Sequence, residues 1–287
     1  MPSTSGIVSS ANRSLEIAWL TTVAADNPLL WVRANDPITA PTQDPDLAQN
    51  GSFSAPSVYF TYYAENGVAT WRETGIVPYS GNYAIYTTNG PSDYENNCVN
   101  LTSTLESQVF GRDINNANAF TMECIIKFED STSTFTYGRY DANALAWGML
   151  ITQTSGKFYG TAWVGNLFDI GVDGDTGVTI DYNKWYHIVY TYAPTRSRLY
   201  INGSVVLERT FASYTWPQYW PTQEDGSPSV RRNKISLLAA WPLGGPGNGA
   251  LYNPTYNCTF DELVMYKSTL NYTQVAEHTF ASGVLNQ

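Results

Sequence analysis

The sequence contains few charged residues and few of the side chains that build metal and nucleophile sites. Asp, Glu, Lys and Arg make up 14% of its 287 residues, whereas about 25% is typical of a soluble domain. Its two histidines and three cysteines leave little material for a zinc site or a cysteine–histidine nucleophile. An odd cysteine count also does not describe a disulfide framework.

Basic residues are scarce: 15 Lys and Arg stand against 25 Asp and Glu, which gives a net charge of −10. Because nucleic-acid binding needs a basic footprint, we expect no nucleic-acid partner. A basic leader followed by an apolar stretch is lacking, and the longest apolar runs, such as residues 29–32, are far too short for a bilayer span. We therefore expect cytoplasmic synthesis without a signal peptide and no membrane insertion.

The chain is rich in aromatic residues, with 21 Tyr, 11 Phe and 9 Trp. This richness excludes a disordered chain. The low charge argues against a mostly helical protein, since exposed helix faces are usually built from Lys and Glu. No internal repeat of 20–50 residues is visible, which excludes solenoids and propellers. The composition thus favours a β-rich fold.

Residues 1–57 differ from the rest of the chain. Two short apolar runs, 15–20 and 29–32, read as strands separated by the turn signal Asp26-Asn27-Pro28. A proline-rich stretch follows at 36–46 and reads as an extended loop. We predict an N-terminal arm or accessory hairpin that contacts another chain or packs along the edge of the main domain, residues 58–287. The alternative is that it supplies outer strands to that domain.

Strand patterns dominate from residue 58 onward. Residues 120–128 alternate, with Phe120, Met122, Cys124, Ile126 and Phe128 on one face. Residues 185–192 are apolar on both faces, which predicts a central strand.

Two local signals predict how particular segments turn or begin. Asn202-Gly203 predicts a type I′ hairpin turn, because both residues tolerate a positive φ. A single helix is predicted over 272–279, capped by Asn271 with Gln274 reaching back.

The acidic segment from Asp169 to Gly177 allows two interpretations. Asp173, Asp175 and Gly177 resemble half of a calcium loop. The segment lacks the third oxygen position and the distal Glu of an EF-hand, and Asp-Gly is a common hairpin turn. We favour a turn over a metal site.

Three segments, in order, resemble one known family. They are 120–128 (Phe-Thr-x-Glu), 184–206 (Trp-x-His, then Leu-Tyr-x-Asn-Gly) and 260–266 followed by Leu270 and a short helix. Together they resemble the laminin G-like members of the concanavalin A-like lectin/glucanase superfamily over about residues 115–285, and the weaker match at 71–75 extends this to about 58. The resemblance implies an all-β, two-sheet antiparallel jelly-roll sandwich with one short C-terminal helix.

The resemblance says little about activity, because this fold carries lectins, glycosidases, adhesion modules and virion proteins. The Glu-x-Asp-x-x-Glu strand of the glucanases is absent. Asp261 and Glu262 are neighbours on a strand, so their side chains point to opposite faces and cannot work as a pair. The family places a structural histidine at His187, and His278 ends the predicted helix, where a cation suits the helix dipole. We expect no enzyme activity.

No cofactor is required by this interpretation. Laminin G-like relatives often hold a calcium ion at a sandwich rim, so one structural calcium ion is allowed. Glu73 and Asp261 lie in segments that match the family, although no ligand set can be carried over.

Aromatic loops outside the strand pattern are the candidate ligand or interface residues. They are Trp216, Gln218, Tyr219, Trp220, Asp225 and Trp241. These side chains can bury at a subunit interface, pack under their own loops or stack against sugars. In contrast, Trp147, Trp163 and Trp185 fall on strands and are predicted to lie in the core.

Two functional hypotheses remain. The first is a non-enzymatic structural or surface protein of a virus or phage particle, with partners among copies of itself or other particle proteins and a place on the virion surface or outside the cell. The second is a soluble carbohydrate-binding module with glycan partners. The mass of the purified protein in solution separates them.

The cysteines give a conditional prediction. In the fold that the chain resembles, an early strand and the last strand are neighbours, so any bridge is expected between Cys98 and Cys258. Cys124 lies on the core face of its strand and is expected to stay a buried free thiol.

Overall fold

The computed structural model describes residues 10–28, 30–33, 48–51, 58–63, 68–76, 83–88, 98–101, 119–139, 147–164, 167–212 and 257–287. Within these ranges the chain forms antiparallel sheets flanked by two helices, which confirms the predicted β-sandwich. The helices are α1 (Ser10–Ala25) and α2 (Tyr272–Ser282), and a 3-10 turn follows at Val284–Asn286.

The strands, in chain order, are β1 (Leu30–Arg33), β2 (Ala48–Gly51), β3 (Val58–Tyr63), β4 (Val68–Thr74), β5 (Tyr83–Thr88), β6 (Cys98–Leu101), β7 (Phe120–Phe128), β8 (Phe135–Arg139), β9 (Trp147–Thr154), β10 (Lys157–Val164), β11 (Leu167–Thr179), β12 (Trp185–Ala193), β13 (Arg196–Ile201), β14 (Ser204–Thr210) and β15 (Cys258–Tyr266). The large sheet has the order β14-β13-β12-β7-β15-β5-β4, and β1 also pairs with β15. A four-stranded sheet has the order β11-β10-β9-β8, and a three-stranded sheet the order β2-β3-β6. The predicted central strand is confirmed, because β12 lies inside the large sheet between β7 and β13.

One face of the large sheet packs against the four-stranded sheet. The Phe158 ring on β10 lies 5.2 Å from the Phe128 ring on β7 and 4.7 Å from the Tyr186 ring on β12, measured between centroids. Beside them, Gly160 approaches so closely that an added Cβ would overlap the Leu199 side chain. The alternation along 120–128 therefore directs its even-numbered residues into the core of the sandwich, as predicted.

The opposite face of the large sheet is covered by the two helices, which also pack against each other. Trp19 and Val23, one turn apart on α1, are buried in a cluster with Val189 and Val264 of the sheet and Val275 of α2. The strand predicted at residues 15–20 is therefore wrong, because this segment lies inside α1. Neither helix in the described residues has the length and apolar content needed to cross a membrane.

The second apolar run of the N-terminal region does form a strand. β1 pairs antiparallel with β15, with Trp31 opposite Val264. Helix α1 and strand β1 thus pack on the large sheet, whereas β2 pairs with β3 in the three-stranded sheet. The proposed division into two domains at residue 57 stays a prediction.

One of the two predicted turns is present in the structure and the other is not. Asn202 and Gly203 have φ of 48° and 78° and join β13 to β14, which confirms the hairpin. Residues 173–177, in contrast, lie within β11, so the predicted turn is wrong. Pairing with β10 keeps this Asp-Gly segment extended, and Asp173 Oδ1 accepts a hydrogen bond of 2.7 Å from the Thr161 hydroxyl of that strand.

The predicted C-terminal helix is confirmed together with its cap. The Asn271 side chain accepts a hydrogen bond from the Gln274 backbone N–H (3.1 Å), and the Gln274 side chain accepts one from the Asn271 N–H (2.9 Å). The helix continues to Ser282 and ends at Gly283, which has a φ of 80°. It is longer than predicted, which places His278 inside the helix rather than at its end.

The cysteines are only partly as predicted. Cys124 is a buried free thiol, which confirms its assignment. Cys98 opens β6, which pairs with β3 in the three-stranded sheet, whereas Cys258 on β15 lies opposite Thr87 and Phe128. The premise that Cys98 and Cys258 occupy neighbouring strands is therefore wrong.

Candidate functional site

A cluster of four ionisable side chains lies between the large sheet and the helices. We call Asp26, Glu123, His187 and His278 the buried ionic centre. Glu123 on β7 and His187 on β12 are diagonal neighbours on one sheet face, since Glu123 registers with Val189 and His187 with Ile125. His278 approaches from α2, and Asp26 follows the last residue of α1. Glu123 and both histidines have no exposed surface.

Glu123 accepts hydrogen bonds from three side chains. Its Oε1 lies 2.5 Å from His187 Nε2 and 2.9 Å from His278 Nδ1, and its Oε2 accepts a hydrogen bond of 2.6 Å from the Tyr266 hydroxyl. Burial alone would raise the pKa of Glu123, but the charge of His278 and the hydrogen bonds from both histidines outweigh it and hold this pKa well below its usual range. Glu123 is therefore an ionised carboxylate in the interior.

His278 lies between two carboxylates. Its Nδ1 contacts Glu123, and its Nε2 lies 2.9 Å from Asp26 Oδ2. Burial would lower the pKa of His278, but the charges and hydrogen bonds of Glu123 and Asp26 raise it to about 9. The ring is thus an imidazolium at neutral pH that links β7 to the end of α1. The prediction that His278 is a helix-terminal cation is wrong, because its charge is buried and paired.

Two further contacts hold the helices at the centre. The Gln274 side-chain amide donates a hydrogen bond of 2.6 Å to Asp26 Oδ1. Gln274, which belongs to the capping box of α2, therefore also binds the end of α1. The Trp19 ring of α1 stands edge-on to both imidazoles, at 6.2 Å from His187 and 6.1 Å from His278. Trp19 Nε1 has no hydrogen-bond partner in the described part of the chain.

The buried ionic centre contains residue types that are used in acid–base catalysis, but its carboxylate Glu123 and both histidines are shielded from solvent. His187 Nδ1 lies 2.7 Å from the Thr279 hydroxyl, so both ring nitrogens are engaged, as expected for a structural histidine. A general base must come within about 3 Å of the proton that it removes. Since Glu123, His187 and His278 have no exposed surface, the arrangement ties the helices to the sheet rather than meeting a substrate.

An exposed polar surface lies on the outside of the four-stranded sheet. Side chains alternate along a strand, so Tyr159 and Thr161 point outward while Phe158 and Gly160 face the core. Thr152 of β9 and Asp175 of β11 lie on either side of Tyr159, and Asp173 lies beside Thr161. We call Thr152, Tyr159, Thr161, Asp173 and Asp175 the outer tyrosine face.

Hydrogen bonds and an ion pair hold the side chains of this face in place. Partial burial raises the pKa of Tyr159, and the Asp173 carboxylate, which accepts a hydrogen bond from the Tyr159 hydroxyl, raises it further. Asp175 Oδ1 accepts a hydrogen bond of 2.7 Å from the Gly177 backbone N–H, and its Oδ2 lies 4.0 Å from Lys157 Nζ. The surface therefore presents an aromatic ring between fixed carboxylates and hydroxyls.

The acidic residues considered for calcium or for a carboxylate pair make other contacts or lie outside the described residues. Asp261 accepts a hydrogen bond of 2.8 Å from the Ile76 N–H, and Glu262 one of 2.5 Å from Trp31 Nε1, so these neighbours do point apart. The side chains of Glu73 and Asp169 lie outside the described residues. In the ranges that the structure describes, no three His, Cys, Asp or Glu side chains are placed to hold a metal ion.

The aromatic loop residues lie outside the described residues, and the prediction for them stays a prediction. They are Trp216, Gln218, Tyr219, Trp220, Asp225 and Trp241. Trp185 is buried as predicted, while the side chains of Trp147 and Trp163 are not described. Sequence reasoning missed the outer tyrosine face. The signal was present, because an inward Phe158 on a predicted strand directs Tyr159 outward.

Comparisons with known proteins place the chain in a family. Residues 102–276 match a laminin G-like family of the "Concanavalin A-like lectin/glucanases superfamily". No curated protein matches the chain in sequence.

Solved structures that resemble the chain share little sequence with it. Domain 4 of AbnA, a GH43 extracellular arabinanase from Geobacillus stearothermophilus solved with arabinotriose, is 14% identical over 87% of both chains, with a TM-score of 0.40. A heptameric SAP-like pentraxin from Limulus polyphemus is 14% identical over 56% of this chain and 69% of its own, with a TM-score of 0.38. The Trypanosoma rangeli sialidase is 14% identical over 94% of this chain and 38% of its own, with a TM-score of 0.46. Since the family match spans more than half of the 287 residues, the chain belongs to the concanavalin A-like lectin/glucanase superfamily as a laminin G-like member, as its three motifs indicated.

Proposed function

We propose that the chain is a non-catalytic, lectin-like module that binds uncharged glycan chains on its outer tyrosine face. One observation carries this proposal: Tyr159 is partly exposed on an inner strand of the four-stranded sheet, with Asp173, Asp175 and Thr152 beside it. A sugar ring has an apolar face that stacks on an aromatic ring, and its hydroxyls donate to carboxylates. Such a site needs few polar groups, provided that they are fixed in place.

The dimensions and charge of the face support this ligand class. Adjacent strands lie about 4.8 Å apart, so the groups on β9 and β11 are within reach of the hydroxyls of one sugar stacked on Tyr159. Asp173 and Asp175 outnumber Lys157, and the chain carries a net charge of −10. Sialylated or sulfated glycans would be repelled, which favours uncharged chains.

A non-catalytic role is supported by where the acids and bases lie. A glycosidase keeps one carboxylic acid protonated by burial or by a close like charge. Asp173 and Asp175 are exposed on an open surface, whereas the buried carboxylate Glu123 is sealed from solvent. We expect no turnover of glycans bound at this face.

The experiment is a glycan array followed by calorimetry with a soluble oligosaccharide from the bound class. We expect uncharged glycans to bind, and Tyr159→Ala to weaken binding about tenfold or more, as for the loss of one aromatic stacking contact. Tyr272→Ala is the matched control, since Tyr272 is an exposed tyrosine on the helix side, and it should bind like the wild type. Chelating calcium should change nothing, because the proposal needs no cofactor. Binding of no glycan, or equal binding by Tyr159→Ala, would overturn the proposal.

A second candidate is a structural or surface protein of a virus or phage particle, displayed on the virion surface and assembled with copies of itself or other particle proteins. The observation that favours it is the set of exposed apolar side chains around α2. Its test is the mass of the purified protein: a stable trimer or larger assembly supports this role, and a monomer at all concentrations contradicts it.

A further inference from the structure

The pairing of β10 with β11 is irregular next to the outer tyrosine face. Tyr159 registers with Asp175 and Lys157 registers with Thr179, so two steps along β10 correspond to four steps along β11. The additional length of β11, at residues 176–178, forms a β-bulge. Bulges are frequent beside functional sites, where they change the direction of a side chain.

The bulge holds the carboxylate of Asp175 in place. Gly177 has a φ of 75°, which glycine adopts without strain, and its backbone N–H donates a hydrogen bond of 2.7 Å to Asp175 Oδ1. The second oxygen, Asp175 Oδ2, lies 4.0 Å from Lys157 Nζ, and the two side chains are 53% and 45% exposed. Because a hydrogen bond measures about 2.7–3.2 Å, the two groups leave room for hydrogen bonds to a ligand. We call Lys157 and Asp175 the open ion pair.

The open ion pair lies at one end of the Tyr159 ring. The Tyr159 hydroxyl donates to Asp173, which registers with Thr161, the next outward residue of β10. The ring therefore leans along β10 toward Thr161 and away from Lys157. A sugar stacked on this ring has Asp173 at one end and the open ion pair at the other. Asp173 already accepts hydrogen bonds from Thr161 and Tyr159, so the open ion pair has the greater remaining capacity.

We propose that the open ion pair binds a vicinal diol, two free hydroxyls on adjacent carbons, of the sugar that stacks on Tyr159. This inference rests on the proposed function of the outer tyrosine face and narrows its ligand class. One hydroxyl accepts a hydrogen bond from the Lys157 ammonium group, and its neighbour donates one to Asp175 Oδ2. Hydrogen bonds to charged groups are about twice as strong as neutral ones. The face thus selects sugars whose adjacent hydroxyls carry no substituent.

A neutral diol fits this pair better than a charged group does. A sulfate or carboxylate would contact Lys157 but would be repelled by Asp175, and an ammonium group would be repelled by Lys157. A diol supplies one acceptor and one donor, which match the two members of the pair.

The position of the face also allows an internal sugar of a chain to bind. Tyr159 lies on an inner strand, with β9 and β11 on either side. A 1,4-linked pyranose chain keeps a free 2,3-diol on each internal residue, whereas a 1,3-linked chain has no two adjacent free hydroxyls there. The ligand class is therefore a neutral 1,4-linked chain.

The first experiment compares immobilised 1,4-linked glucans, mannans and galactans with 1,3-linked polymers of the same sugars. We expect the chain to bind at least one 1,4-linked polymer and not its 1,3-linked counterpart. Periodate followed by borohydride opens vicinal diols, so this treatment should abolish the binding. Equal binding of the two linkages, or binding that survives periodate, would overturn the proposal. Binding to none of the polymers would overturn it together with the glycan proposal.

The second experiment measures the binding of variants to the 1,4-linked polymers. Asp175→Asn and Lys157→Met each remove one charged partner of the diol, and we expect each to weaken binding about tenfold. Asp181→Asn and Lys184→Met are the matched controls. These two residues form another exposed ion pair, with 3.6 Å between Oδ2 and Nζ, in the turn after β11, and both variants should bind like the wild type. Exposed ion pairs contribute little to stability, so all four variants should melt like the wild type.

The two proposals fail in different ways. If Tyr159→Ala binds the polymers like the wild type, the glycan-binding face is refuted. If Tyr159→Ala loses binding while Asp175→Asn and Lys157→Met keep it, the face stands and the role of the open ion pair is refuted.

Discussion

Replacing Glu123 with Gln tests whether the buried ionic centre holds the helices on the sheet. The substitution keeps the side-chain volume but removes the charge, and it leaves one acceptor oxygen for the donors that approach Glu123, from His187, His278 and Tyr266. Breaking a buried ion pair by removing one partner costs about 3–5 kcal/mol, because the other charge stays buried without compensation. For a domain of this size each kcal/mol shifts the melting temperature by roughly 2–4 °C. We expect a fall of roughly 10 °C.

The assay is thermal unfolding followed by circular dichroism or calorimetry. Glu208→Gln is the matched control, since Glu208 on β14 forms an ion pair with Arg198 and its side chain is 39% exposed. Surface pairs contribute about 0–1 kcal/mol, so this variant should melt within a few degrees of the wild type. If Glu123→Gln melted together with Glu208→Gln, the ionic account of the centre would be refuted.

Two further predictions follow from the core. The pKa of His278 is raised from 6.5 to about 9 in the folded chain, so its imidazolium stabilises the fold fully below pH 6.5. As the pH rises through 9, up to roughly 3 kcal/mol of the free energy of unfolding is lost. Denaturant unfolding at pH 6 and at pH 9.5 should show this fall in stability in the wild type and a much smaller fall in Glu123→Gln. An equal fall in the two proteins would contradict the role of His278. Gly160→Ala should lower the free energy of unfolding by about 1–3 kcal/mol, since its Cβ would overlap the buried Leu199. An unchanged urea midpoint would disprove that account.

Features set by local chemistry could be predicted from the sequence. The strand at 120–128 shows its alternation, Asn202-Gly203 carries its own turn preference, and Asn271 with Gln274 forms the expected capping box. Each feature depends on residues within a few positions of one another, so it can be predicted from the local sequence without knowledge of the fold. The order of the three motif segments 120–128, 184–206 and 260–266 likewise indicated the family.

Features set by distant contacts could not be predicted in this way. Helix α1 has no acidic residue in its first turn and no basic residue in its last turn to favour a helix, and it is held in place by burial of Trp19 and Val23 against the large sheet and α2. The segment 173–177 has turn chemistry but is kept extended by pairing with β10. In the buried ionic centre, His278 meets Glu123 across 155 residues and Asp26 across 252, which no periodicity reveals.

The contacts of Asp26 with Gln274 and His278 have a consequence for how the protein is made. These residues are 248 and 252 positions apart. A ribosome adds about 5–20 residues per second, so α1 leaves it roughly 10–50 s before α2 exists. During that interval Trp19 and Val23 lack the neighbours on α2 that help to bury them. The nascent chain thus carries an uncovered apolar helix through most of its synthesis, and that is the period in which we expect it to depend on chaperones.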